Sequence, residues 1–598
     1  MKKQSPPLKN LEVIVLDCQA THSDPKKGAV FEIGWAKTRA SESIETNHFE
    51  KRIDSYLLKL PDSIEISNSI KRITGIQSED LQSAFPQKTI WSKLLAVSQE
   101  TAVQNDMPVC PAIIHYAGYE TPYLKYFHKQ FNPDIPFPFH IICSHQIIKR
   151  FFPGLPRKGL RASAGYFGLS IPETRRSLHH VRGTAFIWSQ AVRLFETQEK
   201  LSSFDDLIKW MDTPSSTKDR SKPTRVYPLA RNYRQDLPAL PGIYRMLRSN
   251  GDLLYIGKAT SLKHRVNSYF SQNGKHSEHI LDMLSQAKSL SYSVTKTALE
   301  AALKESDEIK VFDPPYNIAL RLSAGGPVFS TRDLRQFCQK PDNQYRIGPL
   351  PSKKHIEPLS FIMDFLNGKT LPLTSEILGK TLAAPEEFSP EPPLFLEGLK
   401  EFKKQVNNSG ENPITFQTLM KMGTRLWKES LDKQVKKRLQ VEMEKDTLVL
   451  KSKSLKKKKR DLAFHWTPGR LAKVLSHIIR IGTFQIRRSR WLYLLTESTL
   501  IWERREGEKN LKNLVTFKCG LPCFEDPLPI SQQPIFPTGQ KKAPLEKQNN
   551  FDIFTYDRMR ILTAEIRRIL EEKRTVQIQL GPKLLLKSEQ LIEILKWV

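Results

Sequence analysis

Residues 240–270, LPGIYRMLRSNGDLLYIGKATSLKHRVNSYF, hold an Asn-Gly dipeptide between two runs rich in β-branched and aromatic residues. Asn250-Gly251 is the strongest short-range signal for a two-residue type I′ turn, because both residues tolerate a positive φ and the turn matches the twist of the strands. GIYRMLR and DLLYIGK are therefore expected to pair as an antiparallel hairpin. Ser261 stands where an N-cap belongs. Leu262, Val266 and Tyr269 recur at the spacing of one helical face, and Arg265 lies four residues before Tyr269. LSYSVT reads as a further strand, and ALEAALKESDEIKVF as a helix that Pro314 ends. The unit expected over 236–322 is a small antiparallel sheet with helices.

At 598 residues the chain exceeds one core, and roughly three to five domains are expected. After a polar tail (1–10), residues 11–197 alternate strands such as LEVIVLDC and AVFEIGWAK with helical patterns, as an α/β domain does. Residues 198–235 include MDTPSSTKDRSKPTRVYP, rich in Pro, Ser and charge, and read as a linker. Residues 323–526 read as a mixed α/β region with a basic loop at 451–460, including the strand-like RWLYLLTESTLIWERRE. A Pro-rich connector (527–550) and a helical segment (551–598) follow. The class is α/β and α+β, multidomain, with a mixed, largely helical C-terminal region.

A net charge of +30, from 93 Lys and Arg against 63 Asp and Glu, implies a polyanionic partner. The run Lys456, Lys457, Lys458, Lys459 and Arg460 is a candidate DNA contact, with a solvated loop as the plain alternative. No apolar run approaches the roughly 18 residues of a spanning helix, and the first ten residues lack the character of a signal peptide. No membrane partner and a cytoplasmic location are expected. The six cysteines are scattered; Cys519 and Cys523 supply at most half of a zinc site.

The order and spacing of Gly242-Ile243-Tyr244, Tyr255-Ile256-Gly257, Lys258, Arg265, Tyr269, Glu305 and Asn317 resemble a GIY-YIG nuclease domain of the bacterial excinuclease C and excinuclease Cho type. Phosphodiester hydrolysis needs an activated water, stabilised phosphoryl charge and help for the leaving oxygen. The resemblance implies that Tyr244 is the general base and that Tyr255, Lys258 and Tyr269 position the phosphate or tune that base. It also implies that Arg265 stabilises transition-state charge, Asn317 orients the site, and Glu305 holds Mg²⁺ or Mn²⁺. A phenol with a reference pKa of about 10 becomes a useful base only beside cations.

VIVLDCQATHSDPKKGAVFEIGWAK is similar to the first motif of the DNA polymerase III epsilon-like (DEDDh) exonucleases, which implies a ribonuclease H-like fold over 11–197. That family uses four carboxylates and a His. Here Asp17 is kept, Gln19 replaces a Glu, and Glu120 in HYAGYE is a longer acid substitute. In RRSLHHVRGTA, Arg175 takes the His place and His180 the Asp place. A degenerate exonuclease domain is expected, fused to the nuclease domain as in a bacterial fusion family. The function these resemblances imply is a bacterial, nucleoid-associated, metal-dependent endonuclease of nucleotide excision repair, specific for DNA structure or damage. Its substrate is double-stranded, branched or damaged DNA, and a damage-recognition excision-repair protein is the implied partner. Two other readings stand beside it: a bifunctional 3′–5′ exonuclease and endonuclease, and a DNA-binding scaffold that cuts nothing.

Overall fold

The computed structural model describes residues 6–44, 47–213, 224–271, 274–322, 326–368, 392–406, 414–445, 468–506, 509–532, 551–582 and 584–596. The chain packs as two units, Met1–Ala301 with Val311–Ala319, and Ala302–Lys310 with Leu320–Val598.

In the first unit, strands β1 (Val13–Ala20), β2 (Val30–Thr38), β3 (Asp54–Leu57), β4 (Cys110–Ile114) and β5 (Phe139–Cys143) form a sheet ordered β3-β2-β1-β4-β5. β1 runs antiparallel to β2 and parallel to β4. The run VIVL at the start of β1 is apolar without alternation because β1 is covered on both faces. Val13 and Val15 pack with Val181 and Trp188 of helix Ser177–Leu194, while Ile14, Leu16 and Cys18 pack with Trp91, Tyr123 and Phe127. The α/β expectation matches this arrangement.

The stretch expected to be a linker is partly structured. Ser203 caps helix Phe204–Asp212, which buries Phe204 and Leu207. Trp210 stacks on Phe151 and meets Phe195 edge-on. This helix offers only two turns of apolar period beside a Pro/Ser-rich stretch, so its signal is weak in the sequence.

β6 (Gly242–Leu247), β7 (Leu253–Ala259) and β8 (Ser289–Val294) form a sheet ordered β7-β6-β8. The hairpin is as expected, but its turn is not type I′. Gly251 alone of the Asn-Gly pair has a positive φ, +89°. Its N–H donates to Arg248 O at 3.2 Å, and the register slips between Met246 and Leu247. A longer loop with a left-handed glycine results. The Asn250 side chain is committed elsewhere, donating to Gly168 O at 2.9 Å and Asp252 Oδ2 at 3.0 Å.

That contact with Gly168 belongs to an extended junction within the first unit. Helix Leu160–Phe167 packs on helix Glu278–Gln286 so closely that a Cβ on Gly165 would lie 1.9 Å from Gln286 Oε1. The Arg157 N–H donates to Ser285 Oγ at 2.8 Å, and the Arg161 guanidinium sits 5.1 Å above the Tyr316 ring. Residues 11–197 thus pack in one unit with 236–301 and 311–319.

The described residues of the second unit combine long helices such as Phe416–Lys445 and Pro468–Leu495 with two sheets. Val328–Ser330, Phe337–Cys338 and Ile347–Leu350 form a three-stranded sheet. Leu350, Leu359, Phe402, Leu475 and Ile479 share a core beside it. Beyond the Pro-rich connector the segment expected to be helical forms helices Ile553–Glu571 and Ser588–Leu595, and between them strands Val576–Leu580 and Leu584–Lys587, which were not expected. The first of these strands pairs with Ser498–Glu506 in a six-stranded sheet. VQIQL buries Val576, Ile578 and Leu580, the period of two that makes it a strand. RWLYLL, read as strand-like, ends helix Pro468–Leu495. No helix of the described residues is long and apolar enough to cross a membrane.

Helix Ala298–Phe312 crosses the division: its residues 302–310 pack with the second unit. Lys310 is fully buried there, 2.8 Å from Asp557 Oδ2 and 2.9 Å from Ser306 Oγ. Arg558 makes a bidentate pair with Asp307, at 3.1 Å from Nε and 2.9 Å from Nη2. Both partners lie on helix Ile553–Glu571. Removing one member of a buried pair leaves an uncompensated charge, so Asp557→Ala should cost about 3–5 kcal/mol. Denaturant unfolding checks this, and Lys310→Met combined with Asp557→Leu should recover most of the loss.

Candidate active site

The register of β6 on β7 places Tyr244 opposite Gly257, and Tyr255 two residues away on the same face. Tyr244 is buried, with its ring 6.1 Å from that of Tyr255. Gly257 is required by this approach: a Cβ there would lie 2.4 Å from the Tyr244 hydroxyl. Tyr244 could not keep its place over any larger residue.

Ser261 accepts the His264 N–H and starts helix Leu262–Ser268, whose Leu262 and Val266 are buried. The same turn geometry brings Tyr269 inward, with its hydroxyl 2.9 Å from that of Tyr244. Arg265 donates to Tyr269 at 3.2 Å. The spacing of four therefore produces a chain of contacts from Arg265 through Tyr269 to Tyr244. Burial first, then Tyr269 and Tyr255, push the Tyr244 phenol well above its ordinary range, while Arg265 opposes them. Arg265 itself is raised by the neighbouring tyrosines in spite of its partial burial.

Asn317 closes the site on the other strand: its Oδ1 accepts the Ile256 N–H at 2.9 Å and its Nδ2 donates to Ile256 O at 2.8 Å. It thereby fixes the backbone between Tyr255 and Gly257. Lys258 is exposed on β7, next after Gly257. Glu305 is buried on helix Ala298–Phe312, among the residues that pack with the second unit. Sequence reasoning missed His276, whose ring stacks on Tyr269 at 6.0 Å. It also missed Tyr316, which is hydrogen-bonded to Asp282 and Gln286. No motif spacing points to His276, while Tyr316 stands in PPYN, a stretch that matches the nuclease family without a role having been read for the Tyr.

The five residues expected to mark an eroded exonuclease site do come together. His180 Nδ1 lies 2.9 Å from Asp17 Oδ1, and Gln19 Nε2 donates to Asp17 Oδ2 at 2.8 Å. Glu120 is buried near Asp17, with its Oε2 lacking a hydrogen-bond partner. Burial first, then Asp17, raise the Glu120 carboxyl well above the usual carboxylate range. His180 is raised because Asp17 outweighs its burial, although Arg175 opposes it. Both Asp17 oxygens are thus engaged by protein donors. Glu32 is structural: it accepts Arg176 Nε at 2.8 Å and the Ser177 N–H at 3.0 Å. The basic run Lys456–Arg460 lies outside the described residues.

Comparison with known proteins bears on one part of the chain. Residues 240–318 match the UvrC-like GIY-YIG domain. The UvrABC system protein C of Legionella pneumophila is 42% identical over 123 residues, 19% of this chain and 20% of that protein. The protein of the same name from Neisseria gonorrhoeae is 34% identical over 148 residues, 24% of this chain and 23% of its own. The GIY-YIG N-terminal endonuclease domain of UvrC from Thermotoga maritima, solved with magnesium, is 31% identical. It covers 15% of this chain and 94% of that domain, with a TM-score of 0.14. The matches to the curated relatives span about a fifth of their length, 20% in the Legionella case.

The Asp17 cluster supports a pH test. An unfolded Glu loses its proton near pH 4.3, whereas folded Glu120 keeps it to higher pH. Above that pH the folded state binds more protons than the unfolded state, so Glu120 costs stability increasingly as pH rises towards its folded value. Glu120→Gln removes this cost. Its melting temperature should exceed that of the native chain by more at pH 8 than at pH 5, as thermal scans at both values would show.

Proposed function

We propose that the chain is a divalent-metal-dependent DNA endonuclease of excision-repair type, cutting through its UvrC-like GIY-YIG domain. The observation that carries this reading is the chain of contacts from exposed Arg265 through Tyr269 to buried Tyr244, in a stretch whose sequence carries the residue types of that nuclease motif. Tyr244 is assigned as the base that takes a proton from the attacking water. In the protein alone it is held protonated by burial, so it needs added positive charge to act. Arg265 supplies part of that charge and is assigned to the phosphoryl oxygens in the transition state. Tyr255, Lys258 and Tyr269 hold the phosphate, and Asn317 keeps the YIG strand in position.

Glu305 is the carboxylate of this set, and one carboxylate completed by water and phosphate oxygens suits a hard cation such as Mg²⁺ or Mn²⁺. When bound, such an ion supplies charge stabilisation worth several kcal/mol. Damaged, branched or nicked duplex DNA is the proposed substrate, with a damage-recognition protein of the excision-repair pathway as partner, in a bacterial cytoplasm near the nucleoid.

For residues 11–197 we propose a ribonuclease H-like, epsilon-type exonuclease fold that no longer trims DNA ends. Support comes from the engagement of Asp17 by Gln19 and His180, and from the burial that raises the Glu120 carboxyl, in place of four free carboxylates.

The test uses a labelled duplex carrying a bulky adduct, with Mg²⁺ or Mn²⁺. Glu305→Gln should bind DNA normally and lose internal cutting by on the order of 10³-fold, the kinetic equivalent of several kcal/mol. Cutting at the native rate in that variant would exclude the assigned site. With Glu305→Gln in place, 3′ ends should stay intact; shortening that Asp17→Asn abolishes would show an active exonuclease instead.

A further inference from the structure

Tyr316 and Asn317 strap the outer edge of β7. The Tyr316 N–H donates to Leu254 O at 3.1 Å, and the Asn317 side chain brackets the Ile256 backbone at 2.9 and 2.8 Å. β7 lies at the edge of the described sheet β7-β6-β8, with β6 on its other side, so this strap is what meets its outward-facing backbone at 254 and 256. Fixing Ile256 fixes Tyr255 and Gly257, the residue over which Tyr244 lies. Whatever holds Tyr316 therefore bears on the site.

Tyr316 is held from two directions. Its hydroxyl donates to Asp282 Oδ2 and accepts from Gln286 Nε2, both on helix Glu278–Gln286. Burial first, then Asp282, push the phenol up, so the hydroxyl keeps the proton it donates. Its ring is met by Arg161, whose guanidinium carbon lies 5.1 Å from the ring centroid, within the reach of about 6 Å at which a cation is attracted by an aromatic face. Arg161 belongs to helix Leu160–Phe167, outside the nuclease motif. Its Nη2 is buried without a hydrogen-bond partner, and Glu173, at 3.8 Å, is beyond hydrogen-bond reach. Gly165 stands four residues after Arg161, on the same face of that helix. A Cβ on Gly165 would lie 1.9 Å from Gln286 Oε1, so one helical face touches both Gln286 and the tyrosine that Gln286 bonds.

We propose that Arg161 is a positioning residue for the nuclease reaction: by holding the Tyr316 ring it sets Asn317 and, through Asn317, the backbone from Tyr255 to Gly257. This rests on the reading of the chain as a DNA endonuclease and gives the region 11–197 a part in cutting. That region braces the nuclease site, a use that needs no carboxylate of its own.

The experiment uses the full chain and two readouts. Amide hydrogen exchange, followed by mass spectrometry on peptides covering 254–258 and 314–318, reports local opening of the strap and requires no cutting. Single-turnover cutting of a labelled, adduct-bearing duplex at saturating protein in Mg²⁺ reports the reaction, with affinity measured in EDTA. Arg161→Gln should speed exchange in both peptides while β1 exchanges at its native rate. Cutting should fall by on the order of 10-fold at native affinity, within the roughly 10²-fold that a misplacement of about 1 Å can cost. Arg161→Lys keeps a cation for the ring and should recover most of both losses. Arg157→Gln, whose side chain pairs with exposed Glu278, should alter neither. Native exchange at 254–258 in Arg161→Gln would overturn the proposal, and so would faster exchange there with cutting at the native rate. Exchange raised equally in β1 would make Arg161 a general packing residue and overturn it too. A native chain that cuts no duplex would defeat the endonuclease reading, while the exchange result would still decide whether Arg161 holds the strap.

Discussion

The candidate site depends on a contact that tolerates no side chain: Tyr244 lies over Gly257 across the β6–β7 pair. The strand register sets that meeting, and a slip by one residue would turn Tyr244 to the other face of the sheet. Helix Leu262–Ser268 then offers Tyr269 to the Tyr244 hydroxyl, and Arg265 reaches Tyr269 from the preceding turn. Asn317 ties down the strand at Ile256 from a distant point in the chain. Glycine thus serves the site by making room, and the chemistry is assembled from the residues that fill that room.

The Asp17 cluster is a contrasting use of carboxylates. A site that binds cations keeps its acids ionised and their oxygens free. Here burial raises the carboxyl of one acid well above its usual range, and the other is engaged by an amide and an imidazole. Asp17 is satisfied at both oxygens, while Glu120 Oε2 is buried with no hydrogen-bond partner. The members of the cluster are far apart in sequence and still converge, because β1, helix Ala117–Phe131 and helix Ser177–Leu194 each supply one part.

Local periodicity made much of this legible. The Asn-Gly turn, the Ser261 cap and the spacing of Arg265 and Tyr269 are signals within one or two turns of chain, and each element formed as the residues suggested. The turn type was not legible, because Asn250 is bound by Gly168, some 82 residues away. Helix Phe204–Asp212 and strand Val576–Leu580 were missed for a related reason: short elements beside Pro-rich text take their identity from the core or sheet they join. The packing of Gly165 against Gln286 leaves no mark in either segment, since a glycine in a helix reads first as a weakness.

The pairing of Asp307 with Arg558 spans 251 residues. During synthesis the segment bearing Glu305 therefore leaves the ribosome long before its partners exist. At about 5–20 residues per second the delay is roughly 10–50 s. Throughout that interval Lys310 has no buried counter-charge from Asp557, and the helix centre cannot adopt its final packing. The nascent chain thus carries a motif whose acidic segment is completed only once Asp557 and Arg558 have been made, so the timing of maturation is written into the distance between two ion-pair partners.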